Sequence, residues 1–296
     1  MSRRVILRPS AKVNLSLRVG ALRPDGLHEV HTLMQSISLS DTLTASERKG
    51  PFVLAVRTPG VPDDRTNLVW RAAEGLWRLA GRPGEPRDAH VRLEKAIPTE
   101  AGLGGGSADA AAALVALNII WDLRRSPRDL RIVAAGLGAD VPFFLQGGTA
   151  IGVGRGDEIY PVDDIEQFGV VVLKPSFGVS TAEAYRWLDE DRAGKTEWVE
   201  PEDREIDVGW ASGPIRLVND LEAPVARRHP VIDEIVAACR REGALVAQMT
   251  GSGSAVFGLF REATARVAAA RLRRPDWLVL MGRTLSRREA ARRMGL

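Results

Sequence analysis

Residues 98–113 read Pro-Thr-Glu-Ala-Gly-Leu-Gly-Gly-Gly-Ser-Ala-Asp-Ala-Ala-Ala-Ala, and they are the most informative segment of the chain. Its four glycines let the backbone turn sharply and let N–H groups converge without a Cβ in the way. The alanines that follow Ser107 favour a helix. Free N–H groups and the helix dipole both favour an anion at a helix N-terminus. The pattern therefore predicts a loop that binds the phosphates of a nucleotide.

This loop differs from two common phosphate-binding motifs. A Walker A loop ends in Gly-Lys-Ser/Thr, whereas Gly106 is followed directly by Ser107. The dinucleotide fingerprint requires a third glycine at the position of Ser107. On this stretch alone, a glycine-rich turn into a core helix stays open as an alternative.

Composition narrows the class of protein. The 296 residues suffice for one large or two ordinary domains, and a single cysteine, Cys239, excludes intrachain disulfides and cysteine-rich zinc sites. No apolar stretch has the length of a signal peptide or a membrane span, so we expect a cytoplasmic protein. The net charge is +3, and no basic run is interleaved with aromatic residues, which argues against nucleic-acid binding.

Lysine is rare in this chain, and two lysines lie beside candidate site segments. Five of the 41 basic residues are lysine; Lys95 lies just before the glycine loop and Lys12 lies in an alternating segment. A compact ammonium is not interchangeable with a guanidinium at a tight phosphate site. The alternation puts Lys12, Asn14 and Ser16 on one face of a strand, which either lines a site or is an ordinary half-exposed face.

The order of predicted elements favours an α+β fold, because helices do not alternate strictly with strands. The predicted strands are Val5–Arg8, Ala11–Gly20, Leu33–Leu39, Phe52–Val56, Val91–Lys95, Gly148–Val153, Val170–Leu173, Ala244–Met249, Ala255–Phe260 and Trp277–Met281. The predicted helices are Asn67–Ala80, the segment from the glycine loop to Asp122, Pro127–Gly138, Thr181–Leu188 behind a Ser180/Glu183 capping box, Asn219–Arg241 split at Pro230, and Glu262–Leu272.

Two segments between these elements are predicted as connections. The charged stretch Asp189–Pro214 is a surface excursion, and the halves of the chain divide near residue 157, after a glycine-bearing turn. The arginine-rich tail from Arg271 to Arg293 is expected to form solvated faces of the terminal elements.

Three segments, taken in order, resemble the three motifs of the GHMP kinase superfamily, which includes galactokinase, homoserine kinase and mevalonate kinase. They are Pro9–Leu17, Pro98–Ala113 and Met249–Phe257. Three more segments, 23–28 (Arg-Pro-Asp-Gly-Leu-His), Gly138–Phe144 and Asn219–Glu222, narrow the resemblance to the branch that phosphorylates a cytidine diphosphate ester of methylerythritol. The resemblance spans nearly the whole chain.

This resemblance implies a two-domain GHMP kinase fold. Residues 1–157 would form the ATP-binding domain, similar to ribosomal protein S5 domain 2, and residues 158–296 a ferredoxin-like α+β domain that completes the acceptor site. The implied reaction is ATP- and Mg²⁺-dependent phosphorylation of the 2-hydroxyl of the methylerythritol unit, in the non-mevalonate route to isoprenoid precursors. The implied protein is a monomer or homodimer acting on a small molecule.

The resemblance also assigns residues to the nucleotide. Backbone N–H groups of the glycine loop would hold the triphosphate, and Ser107 is the candidate Mg²⁺ ligand. The implied ATP-binding residues are Asn67, Leu68, Lys95, Pro98, Gly102, Leu103, Gly104, Gly105, Gly106 and Ser107.

Two residues match the catalytic positions of the family. Asp140 would accept the proton of the attacking hydroxyl, and Lys12 would stabilise the charge that spreads over the phosphoryl oxygens. Without the resemblance, the preferred interpretation of Asp140 in Gly-Ala-Asp-Val-Pro is a residue that caps a turn or a helix end.

The implied acceptor residues are Asn14, Leu27, His28, Thr181 and Tyr185. His28 matches a histidine that hydrogen-bonds cytosine, and Tyr185 an aromatic residue that stacks on it. Leu27 departs from the family, which has an aromatic residue there. Losing one base–aromatic stack costs on the order of 1–3 kcal/mol, so cytidine recognition is expected to be weaker or differently supported.

Two other functions stay open at this point. A kinase of the same fold could act on another small alcohol, as homoserine or mevalonate kinases do. The departure at Leu27 is compatible with this alternative. A non-catalytic binding module of the superfamily is the third candidate, although Lys12, Asp140 and the glycine loop are all present.

Overall fold

The computed structural model describes residues 3–193 and 217–296. The strands in these ranges are β1 (Arg4–Leu7), β2 (Ser10–Leu22), β3 (His28–Ser40), β4 (Thr42–Pro51), β5 (Val53–Val56), β6 (Arg87–Glu94), β7 (Thr149–Val153), β8 (Glu158–Pro161), β9 (Gly169–Pro175), β10 (Val246–Met249), β11 (Val256–Phe260) and β12 (Trp277–Arg283). The helices are α1 (Leu68–Leu79), α2 (Gly105–Ile120), α3 (Pro127–Leu137), α4 (Val141–Gln146), α5 (Thr181–Arg192), α6 (Glu222–Arg228), α7 (Val231–Arg241), α8 (Glu262–Arg271) and α9 (Arg287–Met294).

The strands form three four-stranded sheets. The first has the order β1-β4-β6-β5, the second β2-β3-β7-β8 and the third β10-β11-β9-β12. Pairing is antiparallel except between β5 and β6. In the second sheet, a register shift between Asn14 and Ser16 interrupts the β2–β3 ladder.

The third sheet is buried on both faces, because alternate residues of a strand point to opposite sides. In β9, Val171 and Leu173 pack with helices of the C-terminal half. Val170 and Val172 pack instead with Val13 of β2 and other residues of the second sheet. The second and third sheets thus share a core.

Helix α2 is buried on almost every side, and its small residues make that possible. Seven of its first nine residues, from Gly105 to Ala113, are alanine or glycine. The alanines at 110–113 have no exposed surface. Helices α1, α3 and α4 and the first sheet pack around it. This packing fixes the N-terminal end of α2, where the glycine loop lies.

The structure confirms the predicted α+β class and all ten predicted strands, with ends that differ by a few residues. The Ser180/Glu183 capping box is present at the start of α5. The prediction left out β4, α4, β8 and α9, which are polar or short. Helix α5 runs to Arg192, so the surface excursion predicted over Asp189–Pro214 begins later, and residues 194–214 lie outside the described ranges.

The alternative that Lys12, Asn14 and Ser16 lie on an ordinary half-exposed strand face is wrong. Lys12 and Asn14 retain only 3% of their surface, because the glycine loop packs against Lys12, and Thr32 and Thr250 contact the side chain of Asn14. The predicted division near residue 157 stays a prediction, and the paired strands β7 and β8 flank that point. Within the described ranges, none of the helices combines the length and hydropathy needed to cross a membrane.

We predict that Phe257→Ala destabilises the fold by about 3–5 kcal/mol, because it removes a large side chain from the core between the second and third sheets. Phe257 is fully buried, whereas Val267 on α8 is 52% exposed. Urea unfolding of Phe257→Ala, with Val267→Ala as the control, measures the effect. Equal midpoints for the two variants would contradict the shared core.

Candidate active site

A cavity of about 670 Å³ opens between the glycine loop, the start of α4 and the N-terminal end of α5. Most of the predicted site residues line it: Lys12, Asn14, Leu68, Lys95, Pro98, Gly102 to Ser107, Asp140, Thr181 and Tyr185. Three others do not line it. Asn67 caps the start of α1 beside Leu68, His28 stacks on Tyr185, and Leu27 precedes His28 in the chain.

The glycine loop has a shape that only glycine permits at two positions. Gly102 and Gly104 both have φ of +69°, and a Cβ on Gly102 would lie 2.0 Å from the carbonyl oxygen of Thr250. A Cβ on Gly104 would lie 2.7 Å from the ring of Phe144 and 3.2 Å from Cε of Lys12. The loop therefore fits closely between the Lys12 strand and the turn after β10.

Helix α2 starts directly from this loop with Gly104 as its N-cap, and no side chain of the described residues caps it. The N–H groups of its first turn therefore have no intrahelical partner. With no acidic residue in that turn, the positive end of the helix dipole faces the cavity unopposed. This arrangement can bind a multiply charged anion.

Hydrogen bonds hold the three sequence motifs together around the loop. The backbone N–H of Lys12 donates to the carbonyl of Leu103 at 3.0 Å. The Thr250 hydroxyl accepts from the N–H of Asn14 at 3.0 Å and donates to the carbonyl of Gly102 at 3.2 Å. Asn219 donates to the carbonyls of Met249 and Gly251, which fixes the turn that carries Thr250.

The ammonium of Lys12 and the carboxylate of Asp140 lie close together in the wall of the cavity. Nζ of Lys12 lies 3.4 Å from Oδ2 of Asp140 and donates to Oδ1 of Asn14 at 2.5 Å. The Lys12 side chain is 4% exposed, whereas the Asp140 side chain is 36% exposed. Asp140 occupies the N-cap position of α4 but makes no side-chain capping bond. Its carboxylate is thus turned to Lys12 and the cavity and does not serve as a helix cap.

Asn14 orients the lysine. It is anchored in turn, because its Nδ2 donates to Oγ1 of Thr32 at 2.7 Å. Both ends of the buried amide are therefore bonded within the protein. Its predicted contact with the acceptor stays a prediction.

Lys95 lies under the glycine loop, between two buried carboxylates. Its ammonium is bound to Asp41 and, at 2.6 Å, to Asp109 of α2. Burial raises the pKa of Asp109 well above its usual range, against the opposing effect of Lys95. Burial alone would lower the pKa of Lys95, but the two carboxylates outweigh it and the pKa is raised. An ammonium bound in this way packs against Gly105 of the loop. The predicted contact of Lys95 with ATP stays a prediction.

Two of the predicted acceptor residues, Thr181 and Tyr185, line the cavity from α5. Oγ1 of Thr181 is 3.2 Å from Oγ of Ser252, and the ring of Tyr185 stacks on His28 with centroids 5.4 Å apart. Burial, and the charge of Asp140, raise the pKa of the Tyr185 hydroxyl, which stays protonated at neutral pH. Leu27 is 48% exposed beside this pair.

His28 is engaged on both ring nitrogens. Nδ1 lies 3.0 Å from the carbonyl oxygen of Gly20, and Nε2 lies 3.2 Å from a carboxylate oxygen of Asp189. A ligand that hydrogen-bonds Nε2 would replace or share the contact with Asp189. The carboxylate of Asp189 was not among the predicted site residues.

Sequence reasoning also missed other residues of the cavity. Arg155 and Gly156 line it from the turn between β7 and β8, and Thr32 lines it from β3. Asp41 lies behind it as a partner of Lys95. The glycine-bearing turn around Arg155 was visible in the sequence, but its position beside Asp140 depends on the pairing of distant strands.

Comparison with known proteins agrees with these features. Residues 67–148 match the family model described as GHMP kinases N terminal domain, and residues 204–275 match the one described as GHMP kinases C terminal. The chain is 46% identical over 281 residues to the 4-diphosphocytidyl-2-C-methyl-D-erythritol kinase of Pelotomaculum thermopropionicum, which covers 94% of this chain and 97% of that protein. It is 41% identical to the enzyme of the same name from Moorella thermoacetica, over 93% of this chain and 96% of that protein.

A solved structure is also similar. The crystal structure of a 4-(cytidine 5'-diphospho)-2C-methyl-D-erythritol kinase has a TM-score of 0.77 and 35% sequence identity, and covers 96% of this chain and 99% of that chain. These matches confirm the resemblance and the GHMP kinase fold predicted from the motifs. The chain belongs to the 4-diphosphocytidyl-2-C-methyl-D-erythritol kinase family of GHMP kinases.

Proposed function

We propose that this enzyme transfers the γ-phosphoryl group of ATP to the 2-hydroxyl of 4-diphosphocytidyl-2-C-methyl-D-erythritol. The observation that carries the proposal is the 3.4 Å contact between Lys12 and Asp140 beside the glycine loop. The names of relatives at 41–46% identity support this acceptor over homoserine or mevalonate. A retained Lys12, Asp140 and glycine loop also argue against a non-catalytic binding module.

The glycine loop suits the triphosphate of ATP. A Cβ on Gly104 would fill the space beside Phe144 and Lys12, so the loop needs its glycines to stay open. Backbone N–H groups from 102 to 107 would bind the phosphates, with Asn67, Leu68 and Pro98 toward the rest of the nucleotide. Lys95 would hold the loop in place through Asp109.

Ser107 is the proposed protein ligand of Mg²⁺. Among residues 3–193 and 217–296 there is no cluster of three His, Cys, Asp or Glu side chains that could hold a metal. This fits a cation bound mainly by phosphate oxygens and water, as Mg²⁺ commonly is in kinases. When bound, Mg²⁺ neutralises charge on the β- and γ-phosphates.

The chemical step needs positioning and charge stabilisation more than covalent help. The hydroxyl oxygen bonds to the γ-phosphorus while the bond from that phosphorus to the β,γ-bridging oxygen breaks, leaving ADP. Asp140 accepts the hydroxyl proton. Lys12, oriented by Asn14, stabilises the negative charge on the transferred group.

His28 and Tyr185 are the proposed contacts for the cytosine. Tyr185 offers one stacking face, and Leu27 offers an aliphatic surface where relatives of the family carry an aromatic residue. Asn14 and Thr181 would lie near the methylerythritol unit.

The remaining proposals concern the whole chain. Residues 1–157 would bind ATP and residues 158–296 would complete the acceptor site. The single cysteine, Cys239, is buried, and burial raises its thiol pKa to about 12, which keeps the thiol protonated. We propose a cytoplasmic enzyme, since one cysteine can form no intrachain disulfide. We propose a monomer or homodimer with no nucleic-acid partner.

We predict that the protein, incubated with ATP, Mg²⁺ and 4-diphosphocytidyl-2-C-methyl-D-erythritol, forms ADP and a phosphomonoester. Phosphorus NMR identifies the new monoester signal beside the retained diphosphate. Parallel reactions with homoserine and mevalonate serve as controls. Turnover of either control without turnover of the cytidylyl ester would contradict the proposed acceptor.

We predict that Asp140→Asn lowers kcat by about 10²–10⁴-fold, because it removes the proton acceptor while preserving the shape of the side chain. The affinity for ATP, measured by calorimetry, should stay within about twofold, since the glycine loop is unchanged. Asp122→Asn is the control, because Asp122 is half exposed and distant from the cavity. Near-normal turnover by Asp140→Asn would exclude the assigned role.

A further inference from the structure

Asp41 lies between β3 and β4, and its side chain has no exposed surface. Its Oδ1 accepts from the backbone N–H groups of Ala96 at 2.5 Å and Ile97 at 2.8 Å, and its Oδ2 binds the ammonium of Lys95. Its own N–H donates to the carbonyl of Pro9, just before β2, at 3.0 Å. Burying a carboxylate is costly unless it is paired and hydrogen-bonded, and these contacts meet that requirement. Neither the sequence motifs nor the proposed mechanism gives Asp41 a task.

The segment that Asp41 holds is in direct contact with the start of α2. A Cβ on Gly105, the first residue of that helix, would lie 2.9 Å from Cγ2 of Ile97 and 3.1 Å from Nζ of Lys95. Lys95 also binds Asp109, about one turn further along the helix, at 2.6 Å. Asp41 therefore reaches the first turn of α2 through two residues that it bonds directly.

The N–H groups at this end of α2 are the ones proposed to bind phosphates. They have no partner within the helix, so the position of the first turn decides where they point. The charge of the lysine adds little attraction of its own, because one ammonium is shared between the carboxylates of Asp41 and Asp109. What the cluster can contribute to the site is geometry.

We infer that Asp41 is a positioning residue for the phosphates of ATP. It holds Lys95 and Ile97 against Gly105, and this fixes the first turn of α2 where its N–H groups meet the phosphate oxygens. Asp41 acts through these residues and does not touch the nucleotide. The inference rests on the proposed function only in that the enzyme binds ATP, and it is independent of the acceptor.

Asp41→Asn separates this role from an electrostatic one. The amide keeps the shape of the side chain and an oxygen that can accept from Ala96 and Ile97, but it turns an N–H donor toward the ammonium of Lys95. If the charge of Asp41 were what mattered, removing a negative charge near the phosphates would strengthen nucleotide binding. Loss of positioning weakens it instead, so the direction of the change distinguishes the two.

The dissociation constants of ADP and adenosine test the inference without turnover. They are measured by displacement of a fluorescent ADP with Mg²⁺ present, at a temperature at which circular dichroism shows each variant folded. We expect Asp41→Asn to weaken ADP binding by about 10-fold, because a charge-assisted hydrogen bond is lost, and to leave adenosine binding within about twofold. The KM for ATP should rise by a similar factor, with the KM for the acceptor unchanged.

Glu289→Gln is the matched control. The carboxylate of Glu289 likewise accepts a backbone N–H, from Ser286 at 3.0 Å, and binds a cation, Arg283, but Glu289 does not line the cavity. This variant should keep the wild-type ADP-to-adenosine ratio. In a Lys95→Met background, Asp41→Asn should have little further effect on the ratio, because residues that act through one another are not additive.

An unchanged ADP-to-adenosine ratio in Asp41→Asn would overturn the inference, because a purely structural residue affects both ligands alike. Tighter ADP binding would overturn it as well. If Asp41→Asn does not fold, Lys95→Met alone should lower the ratio, and an unchanged ratio in that variant would be equally decisive against the inference. If the wild type binds ADP but does not phosphorylate the cytidylyl ester, the proposed acceptor falls, and the ratio still decides the role of Asp41.

Discussion

The contact between the Lys12 ammonium and the Asp140 carboxylate is the interaction on which the rest of the site depends. It joins strand β2 to the N-cap residue of α4, at the point where the glycine loop opens into α2. The ammonium is almost fully buried, and burying a charge is costly unless it is paired and hydrogen-bonded. Asn14 and Asp140 together meet that requirement and fix the position of the ammonium that we propose for phosphoryl transfer.

Close packing of small groups makes this contact possible. The loop passes so near to the Thr250 carbonyl that Gly102 has no room for a Cβ, and the alanines of α2 let three helices and a sheet surround it. Lys95, which directly follows β6, adds a second constraint, because its ammonium binds both Asp109 of α2 and Asp41. We therefore propose that backbone N–H groups, rather than free lysines, bind the nucleotide.

Sequence alone predicted the elements with strong periodicity and the segments that meet at the cavity. The alternation around Lys12 and the glycine loop into alanines were enough to identify them. Sequence alone could not predict which distant residues contact the site residues, because tertiary packing sets those contacts. The carboxylates that hold Lys95, the Asp189 contact of His28 and the position of Arg155 all come from residues distant in the chain. Strand β4 was missed because its exposed half is polar and lacks an apolar alternation.

We propose that Lys12 and Asp140 act as one unit on the transferred phosphoryl group, and a double-mutant cycle on kcat measures whether they do. The cycle compares the wild type, Lys12→Met, Asp140→Asn and the double variant with ATP and the cytidylyl ester. Residues that act together lose their effects non-additively, so the double variant should be within about threefold of the slower single variant. If the two losses multiply instead, the residues act independently and the account is wrong.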